Sequence, residues 1–348
     1  MNHRTRTLAA AFALASVALV AGCSDEGDPV SFDGPSAAPA PATAAPTRPA
    51  PGGSPSAPAG PRTVMPTGPK ADFTVQNTID DGTKIAVATL RGEKSGFTGK
   101  VWVWAPKQYF DPKYANSGFP VLIALPGGNG YPNNYWMGTD LKLQSSISAW
   151  SKEGKSLPFI VAMPVLNPDD KYYYDGSDIP GQPKMGTWMT EDVPDFVRAN
   201  FRTFDSRDGW AFMGSSSGGF VGLKSVLQRP DKFKAVIASG PDTVPDSPLW
   251  AGHERERQAN NPERLAAAHG RKPAGKANDV YLAFQIGTKE SGLKNLKSFM
   301  RNYTKGPVKT RLQIIADGGH NARSYVRGMG DGSIAWISEH MQGPIPSP

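Results

Sequence analysis

Between residues 71 and 343, apolar side chains come in short runs separated by stretches of helical length. The first part alternates instead. Residues 72–79 and 83–91 carry apolar and polar side chains by turns, and Lys100-Val-Trp-Val-Trp-Ala105 continues in β-rich composition. A period of two predicts strands with one buried face. Continuous runs then follow at PVLIALP (120–126), FIVAMPVL (159–166), WAFM (210–213), KAVIAS (234–239), VYLAFQI (280–286) and RLQIIA (311–316). Apolar runs of about four to eight residues predict strands covered on both faces, as in a parallel sheet. Helices are predicted at 139–152, 190–201, 218–228, 292–304 and 333–342; in the fourth, Leu293, Leu296, Phe299 and Met300 fall at helical spacing. A β-rich start followed by β-α alternation predicts one α/β domain over 71–343, with a mostly parallel central sheet flanked by helices. Residues 344–348 read as a tail, and no internal repeat is evident.

The first seventy residues have another character. Met-Asn-His-Arg-Thr-Arg precedes an apolar stretch, Leu8–Val20, and then Ala21-Gly22-Cys23. A cationic start, a short apolar segment and small residues before the cut predict a secretory signal over 1–22. Val20-Ala21-Gly22-Cys23 is similar to a bacterial lipobox, which predicts acylation of Cys23 and anchoring at the extracellular face of the membrane. From 23 to 70 the chain is mostly Pro, Ala, Ser, Thr and Gly, with eight prolines between Pro39 and Pro61. Such a segment denies itself helix and sheet, and predicts an extended, disordered tether.

Charge narrows the partners. The chain is 348 residues long with a formal net charge of +7, nearly all of it spread through the region after residue 70 without a basic run. That is ordinary solubility charge, and no nucleic-acid partner is expected. A single cysteine excludes an internal disulfide and a thiolate metal site. His253, Glu254 and Glu256 read as surface charge, so no metal is expected.

The strongest chemical signal is Gly214-Ser215-Ser216-Ser217-Gly218, a G-x-S-x-G between a predicted strand and a predicted helix. A nucleophile elbow needs that context, and the glycine spacing selects Ser216 among the three serines. A serine hydroxyl attacks only when a base takes its proton. Of five histidines, His320 directly follows the last core strand in Asp317-Gly-Gly-His-Asn321 and is the candidate base. The orienting acid should fall between them in sequence. Glu290, just after VYLAFQIG, is preferred; Asp242, after the strand at 234–239, is the rival.

An oxyanion hole needs two backbone N–H groups. Ser217 supplies one candidate. The other should come from Pro126-Gly127-Gly128-Asn129-Gly130, where Gly128 is preferred, with Gly127 and Asn129 open. Tyr131, Tyr135, Trp136, Tyr172, Tyr173, Tyr174 and Trp188 could line a substrate pocket, and Asp140 and Glu191 could touch substrate, although such residues more often pack or cap. P-loop, dinucleotide and H-E-x-x-H signatures are absent, and no cofactor is expected.

Taken together, VWVWAP, PVLIALPGG, FIVAMPV, Trp188-Met-Thr-Glu-Asp-Val-Pro, GSSSGG, QIGTKE and GGHNA resemble the esterase D and mycolyltransferase-like branch of the α/β-hydrolases, over roughly residues 72–342. The resemblance implies acyl transfer through an acyl-serine, to water or a sugar hydroxyl, on a small-molecule, lipid or sugar ester, with Ser216, Glu290 and His320 as the triad. One departure matters. Secreted mycolyltransferases carry their histidine in a later Gly-Thr-His-Ser-Trp run, and the similar run here is Gly332-Ser-Ile-Ala-Trp336. Either His320 is the base or the triad is broken. A serine esterase or acyltransferase leads, and a non-catalytic cell-wall or carbohydrate-binding protein on the same scaffold is the alternative.

Overall fold

A computed structural model of the chain describes residues 62–347. The signal segment, Cys23 and the tether up to residue 61 lie outside the described residues. Strands β1 (Thr63–Val64), β2 (Thr74–Thr78), β3 (Lys84–Arg91) and β4 (Thr98–Trp104) come first. They are followed by β5 (Val121–Leu125), β6 (Ile160–Pro164), β7 (Thr203–Phe204), β8 (Trp210–Ser215), β9 (Ala235–Ser239), β10 (Val280–Gly287) and β11 (Val308–Ile315).

Nine of these form one sheet in the order β11-β10-β9-β8-β5-β6-β4-β3-β2. Neighbours from β11 to β6 are parallel, and β4, β3 and β2 join antiparallel. This is the mostly parallel α/β-hydrolase sheet with a β-rich N-terminal part. Every residue of β5, β6 and β9 is buried, because helices shield both faces of the parallel region. β2 and β11, at the two edges, keep exposed or half-exposed side chains.

The domain reaches beyond the limits read from composition. Residues 62–70, expected to belong to the tether, contribute β1, which pairs antiparallel with β7. Arg62 also bridges Asp205 at 3.1 Å, and the Gly68 N–H donates to the Ala199 carbonyl at 2.9 Å. Backbone pairing needs no apolar side chain, so hydropathy does not reveal it. The tail is likewise attached: the Ile345 N–H donates to Ser117 Oγ at 2.8 Å. Helices Leu143–Lys152, Val193–Asn200, Ser217–Gln228, Leu293–Tyr303 and Ile334–Ser338 fall where periodicity predicts them. Glu254–Ala259, Pro262–His269 and Ala322–Gly328 do not. They are short, and the first too charged, for an apolar stripe to stand out.

Topology decides where a site can form. From β5 the chain winds to β6 on one side, and β8 lies on the other. At such a reversal the loops leaving the carboxyl ends diverge and open a crevice. Register fixes which loops meet there. Leu125 faces Gly214, Ser215 faces Ser239, Ser239 faces Gln285, and Gly287 faces Ile315. Segments 126–130, 216–217, 240–242, 288–290 and 316–320 therefore leave one edge side by side.

The helix behind Ser216 carries an unusual buried cation. Lys224 Nζ donates to the Asp175 carbonyl at 2.8 Å, the Gly176 carbonyl at 2.5 Å and Ser177 Oγ at 2.6 Å. It thereby ties the 169–177 loop to the elbow helix. Burial lowers its pKa to about 8, with Asp175 opposing. The unfolded chain therefore holds this proton up to a higher pH, and stability should rise between about 8 and the free-lysine value of 10.5. Lys224→Met should strand three acceptors, cost about 3 kcal/mol, and abolish that rise. Urea denaturation of both proteins at pH 7 and 10 measures it, and equal pH responses would refute it.

Candidate active site

Ser216 occupies the turn between β8 and the helix Ser217–Gln228, with φ 54 and ψ −122. A positive φ is strained for a residue with a Cβ and persists only where its surroundings enforce it. The motif's glycines do so. A Cβ on Gly214 would lie 2.4 Å from the Gly218 carbonyl, and one on Gly218 would lie 2.3 Å from the Pro126 carbonyl oxygen. The Ser216 N–H donates to the Ser239 carbonyl at 2.8 Å, fixing the turn against β9. The flanking serines are engaged elsewhere. Ser215 Oγ pairs with the Tyr135 hydroxyl at 2.5 Å, and Ser217 Oγ donates to the Gly128 carbonyl at 2.8 Å. Ser216 lines an open cleft of about 440 Å³ together with His320, Gly127, Gly128, Tyr135 and Tyr173.

His320 reaches this cleft from the loop after β11. Its Nδ1 lies 2.6 Å from Glu290 Oε2, with the imidazole 52% exposed and the carboxylate 4% exposed. The Gly287 N–H donates to Glu290 Oε1 at 2.6 Å. Glu290, not Asp242, is therefore the acid at the histidine. Asp242 is close enough for His320 to draw its pKa down, but burial and then Asp246 hold it above the usual carboxylate value. Two further residues join the cluster, and sequence reasoning singled out neither. The Tyr325 hydroxyl donates to Glu290 Oε2 at 2.7 Å and lies 2.8 Å from His320 Nδ1. Gly240 (φ 53) packs its backbone over all three side chains.

The glycine loop after β5 is narrowed by its own bonds. The Gly127 N–H donates to the Tyr135 hydroxyl at 2.7 Å, so it is already used. The Gly128 carbonyl turns toward Ser217 Oγ, and in a trans peptide the following Asn129 N–H points the opposite way. Of the three candidate N–H groups in this loop, that of Gly128 alone is neither bonded to Tyr135 nor turned away with the Gly128 carbonyl, and the Ser217 N–H opens the helix with no intrahelical acceptor. Tyr135 thus holds the loop in place. Tyr135→Phe should free the Gly127 N–H and lower kcat about tenfold with KM little changed. Steady-state kinetics test this; an unaltered kcat would show that the loop holds itself.

The remaining candidates separate cleanly. Tyr173 and Tyr135 line the cleft. Trp136, Tyr174 and Trp188 are buried packing, their polar atoms bonded to the Leu125 carbonyl, Asp169 and the Val165 carbonyl. Tyr131 and Tyr172 are exposed. Asp140 pairs with Arg323 at 3.5 Å at the surface. Glu191 belongs to an ion cluster: against the cost of burial, Lys232 and Arg229 bring its pKa down to about 2. His269 is buried and its Nε2 lies 2.7 Å from the Asn278 carbonyl. That contact precedes β10, at the opposite end of the sheet and roughly 23 Å along the strand from Gly287. Ile334 is 1% exposed within the hydrophobic core. It does not face the cleft as a catalytic group would. Among the described residues no cluster of His, Cys, Asp or Glu could hold a metal ion.

Residues 96–336 match the family Esterase, described as "Putative esterase", and the match includes Ser216, Glu290 and His320. The chain belongs to the Esterase family. An Esterase-family member of this architecture is a carboxylic ester hydrolase. Its fold is shared with a solved ferulic acid esterase at 19% identity and TM-score 0.60, over 74% of this chain and 99% of that one. An S-formylglutathione hydrolase from Agrobacterium tumefaciens aligns at 18% identity and TM-score 0.58, over 78% and 99%. The feruloyl esterase module from Clostridium thermocellum complexed with sinapinate aligns at 16% and 0.57, over 82% and 99%. No curated protein sequence matches this Esterase-family chain.

Proposed function

We propose that this chain is a serine esterase that cleaves a small aryl or short-chain acyl ester through an acyl-Ser216 intermediate. The observation that carries it is the 2.6 Å contact between His320 and buried Glu290 beside the strained Ser216. Glu290 keeps the hydrogen on Nδ1, so Nε2 is the basic nitrogen. His320 Nε2 takes the Ser216 proton as Oγ attacks the ester carbonyl. The Gly128 and Ser217 N–H groups receive the negative charge that develops on the carbonyl oxygen. His320 then gives its proton to the leaving alcohol. A water, deprotonated by the same imidazole, attacks the acyl-serine and releases the acid with Ser216 restored. Water is the favoured acceptor because His320 is half exposed at the mouth of the cleft.

Size and lining support the substrate class. About 440 Å³ with Tyr135, Leu141, Tyr173 and Tyr325 in the wall suits one ring or a short acyl chain better than a very long one. The feruloyl esterase and S-formylglutathione hydrolase folds among the similar structures support the same reading. The core position of Ile334 favours the esterase D side of the resemblance over the mycolyltransferase side. Assays on 4-nitrophenyl esters of increasing chain length and on methyl ferulate, with and without a sugar acceptor, test the reading. Turnover should be highest for acetate to butyrate or for ferulate and be indifferent to sugar. No hydrolysis of any ester by folded protein would contradict it.

We place the domain outside the cell on a lipid anchor at Cys23, the sole cysteine, which follows the apolar stretch Leu8–Val20. Two or more acyl chains hold a protein stably on a membrane. Cys23→Ser should move the protein out of the membrane fraction. Identical fractionation of mutant and wild type would contradict the anchor.

A further inference from the structure

The contact at His320 has a third polar member that the reaction above leaves unused. Tyr325 stands on the helix Ala322–Gly328, 1% exposed, its ring edge-on to the imidazole at 5.8 Å and 87°. Its hydroxyl lies 2.7 Å from Glu290 Oε2 and 2.8 Å from His320 Nδ1. We propose that Tyr325 is a positioning residue for His320, clamping Glu290 as a donor while offering the imidazole a second acceptor. The proposal rests on the reading of Ser216, Glu290 and His320 as the triad.

A phenol has one hydrogen to give and lone pairs to receive. The anionic carboxylate is the strongest acceptor within its reach, so the hydrogen goes to Glu290. Burial, with Glu290 beside it, also pushes the phenol's pKa far above its usual value, so it stays a donor. Its lone pairs then face Nδ1. An Nδ1 that carries hydrogen meets two acceptors, whereas a bare Nδ1 gains a donor only if the phenol's hydrogen leaves the Glu290 carboxylate. The pair thus favours the tautomer that leaves Nε2 basic. Glu290 gains as well: Gly287 fixes one oxygen and Tyr325 the other, so the carboxylate plane cannot turn away from the ring. Support of this kind matters because His320 itself sits on a loop with half its side chain in solvent. Asp242 is the other carboxylate whose charge bears on this imidazole.

Tyr325→Phe keeps the ring and removes only the hydroxyl. We expect kcat to fall about fivefold to tenfold with KM unchanged, and the low-field Nδ1–H proton resonance of His320 to shift. In the Glu290→Ala background the phenol's hydrogen has lost its carboxylate acceptor and is free to turn to Nδ1. Adding Tyr325→Phe there should change kcat less than about twofold, and a further tenfold loss would overturn a role exerted through Glu290. Thermal melting checks that both variants fold. If Tyr325→Phe leaves kcat within twofold and the resonance in place, the role is overturned, and His320→Ala separates the two readings. Loss of turnover in His320→Ala beside a normal Tyr325→Phe would sink the Tyr325 role alone. Turnover retained by His320→Ala would sink the triad and this role with it.

Discussion

Ser216→Ala and His320→Ala should each lower kcat by about four to six orders of magnitude, and the double mutant should be hardly worse than either. The members of such a site act on one proton and one bond. Removing the nucleophile leaves the base nothing to deprotonate, and removing the base leaves a hydroxyl too weak to attack. Both side chains are accessible in the cleft, so the substitutions should leave melting temperature nearly unchanged. Glu290→Gln should also be severe, since an amide can present N–H to Nδ1 and favour the wrong tautomer. Burst kinetics with an activated ester measure all four proteins. Multiplicative losses in the double mutant would mean that Ser216 and His320 do not share a step.

Gly240→Ala should be nearly as damaging without touching a reacting group. Gly240 follows β9 with φ 53, a conformation that costs a residue with a Cβ about 1–2 kcal/mol. The added methyl would lie 2.2 Å from the Tyr325 hydroxyl, 2.7 Å from Glu290 Oε2 and 2.9 Å from His320 Nδ1. All three must move to admit it. Placement errors near 1 Å at a reacting centre cost about a hundredfold, so kcat should drop by that much or more while the protein stays folded. Gly222→Ala is a suitable comparison. It lies in the elbow helix, where an added Cβ meets nothing closer than 3.1 Å, and it should lose little activity. Similar kinetics for the two variants would show that Gly240 is not a filler of this cluster.

What could be read from the chain follows from how local each signal is. The central parallel strands announce themselves because burial on both faces writes continuous apolar runs such as VLIAL and AVIAS, and β2 and β3 do so by alternation. Ser216 is equally visible, since its strained φ forces glycine at 214 and 218 within five residues of sequence. Glu290 and Asp242 follow adjacent strands, β10 and β9, and only the side-chain bonds separate them. Tyr325 and Gly240 could not be found this way. Their roles depend on a short helix returning across β10 and β11 and bringing Tyr325 to Gly240, a contact that leaves no period in the sequence. A glycine directly after the core strand ending in Ala-Ser was the one available hint for Gly240. β1 escaped notice for a different reason: it is a backbone pairing with β7 inside proline-rich composition.

On the proposed mechanism Ser216 is a nucleophile activated by His320. Incubation of the folded protein with a fluorophosphonate, followed by peptide mapping, tests it most directly. The phosphonyl adduct should appear on Ser216, be lost in Ser216→Ala, and form far more slowly in His320→Ala. An unlabelled folded wild-type protein, or an adduct on Ser215 or Ser217, would contradict the account.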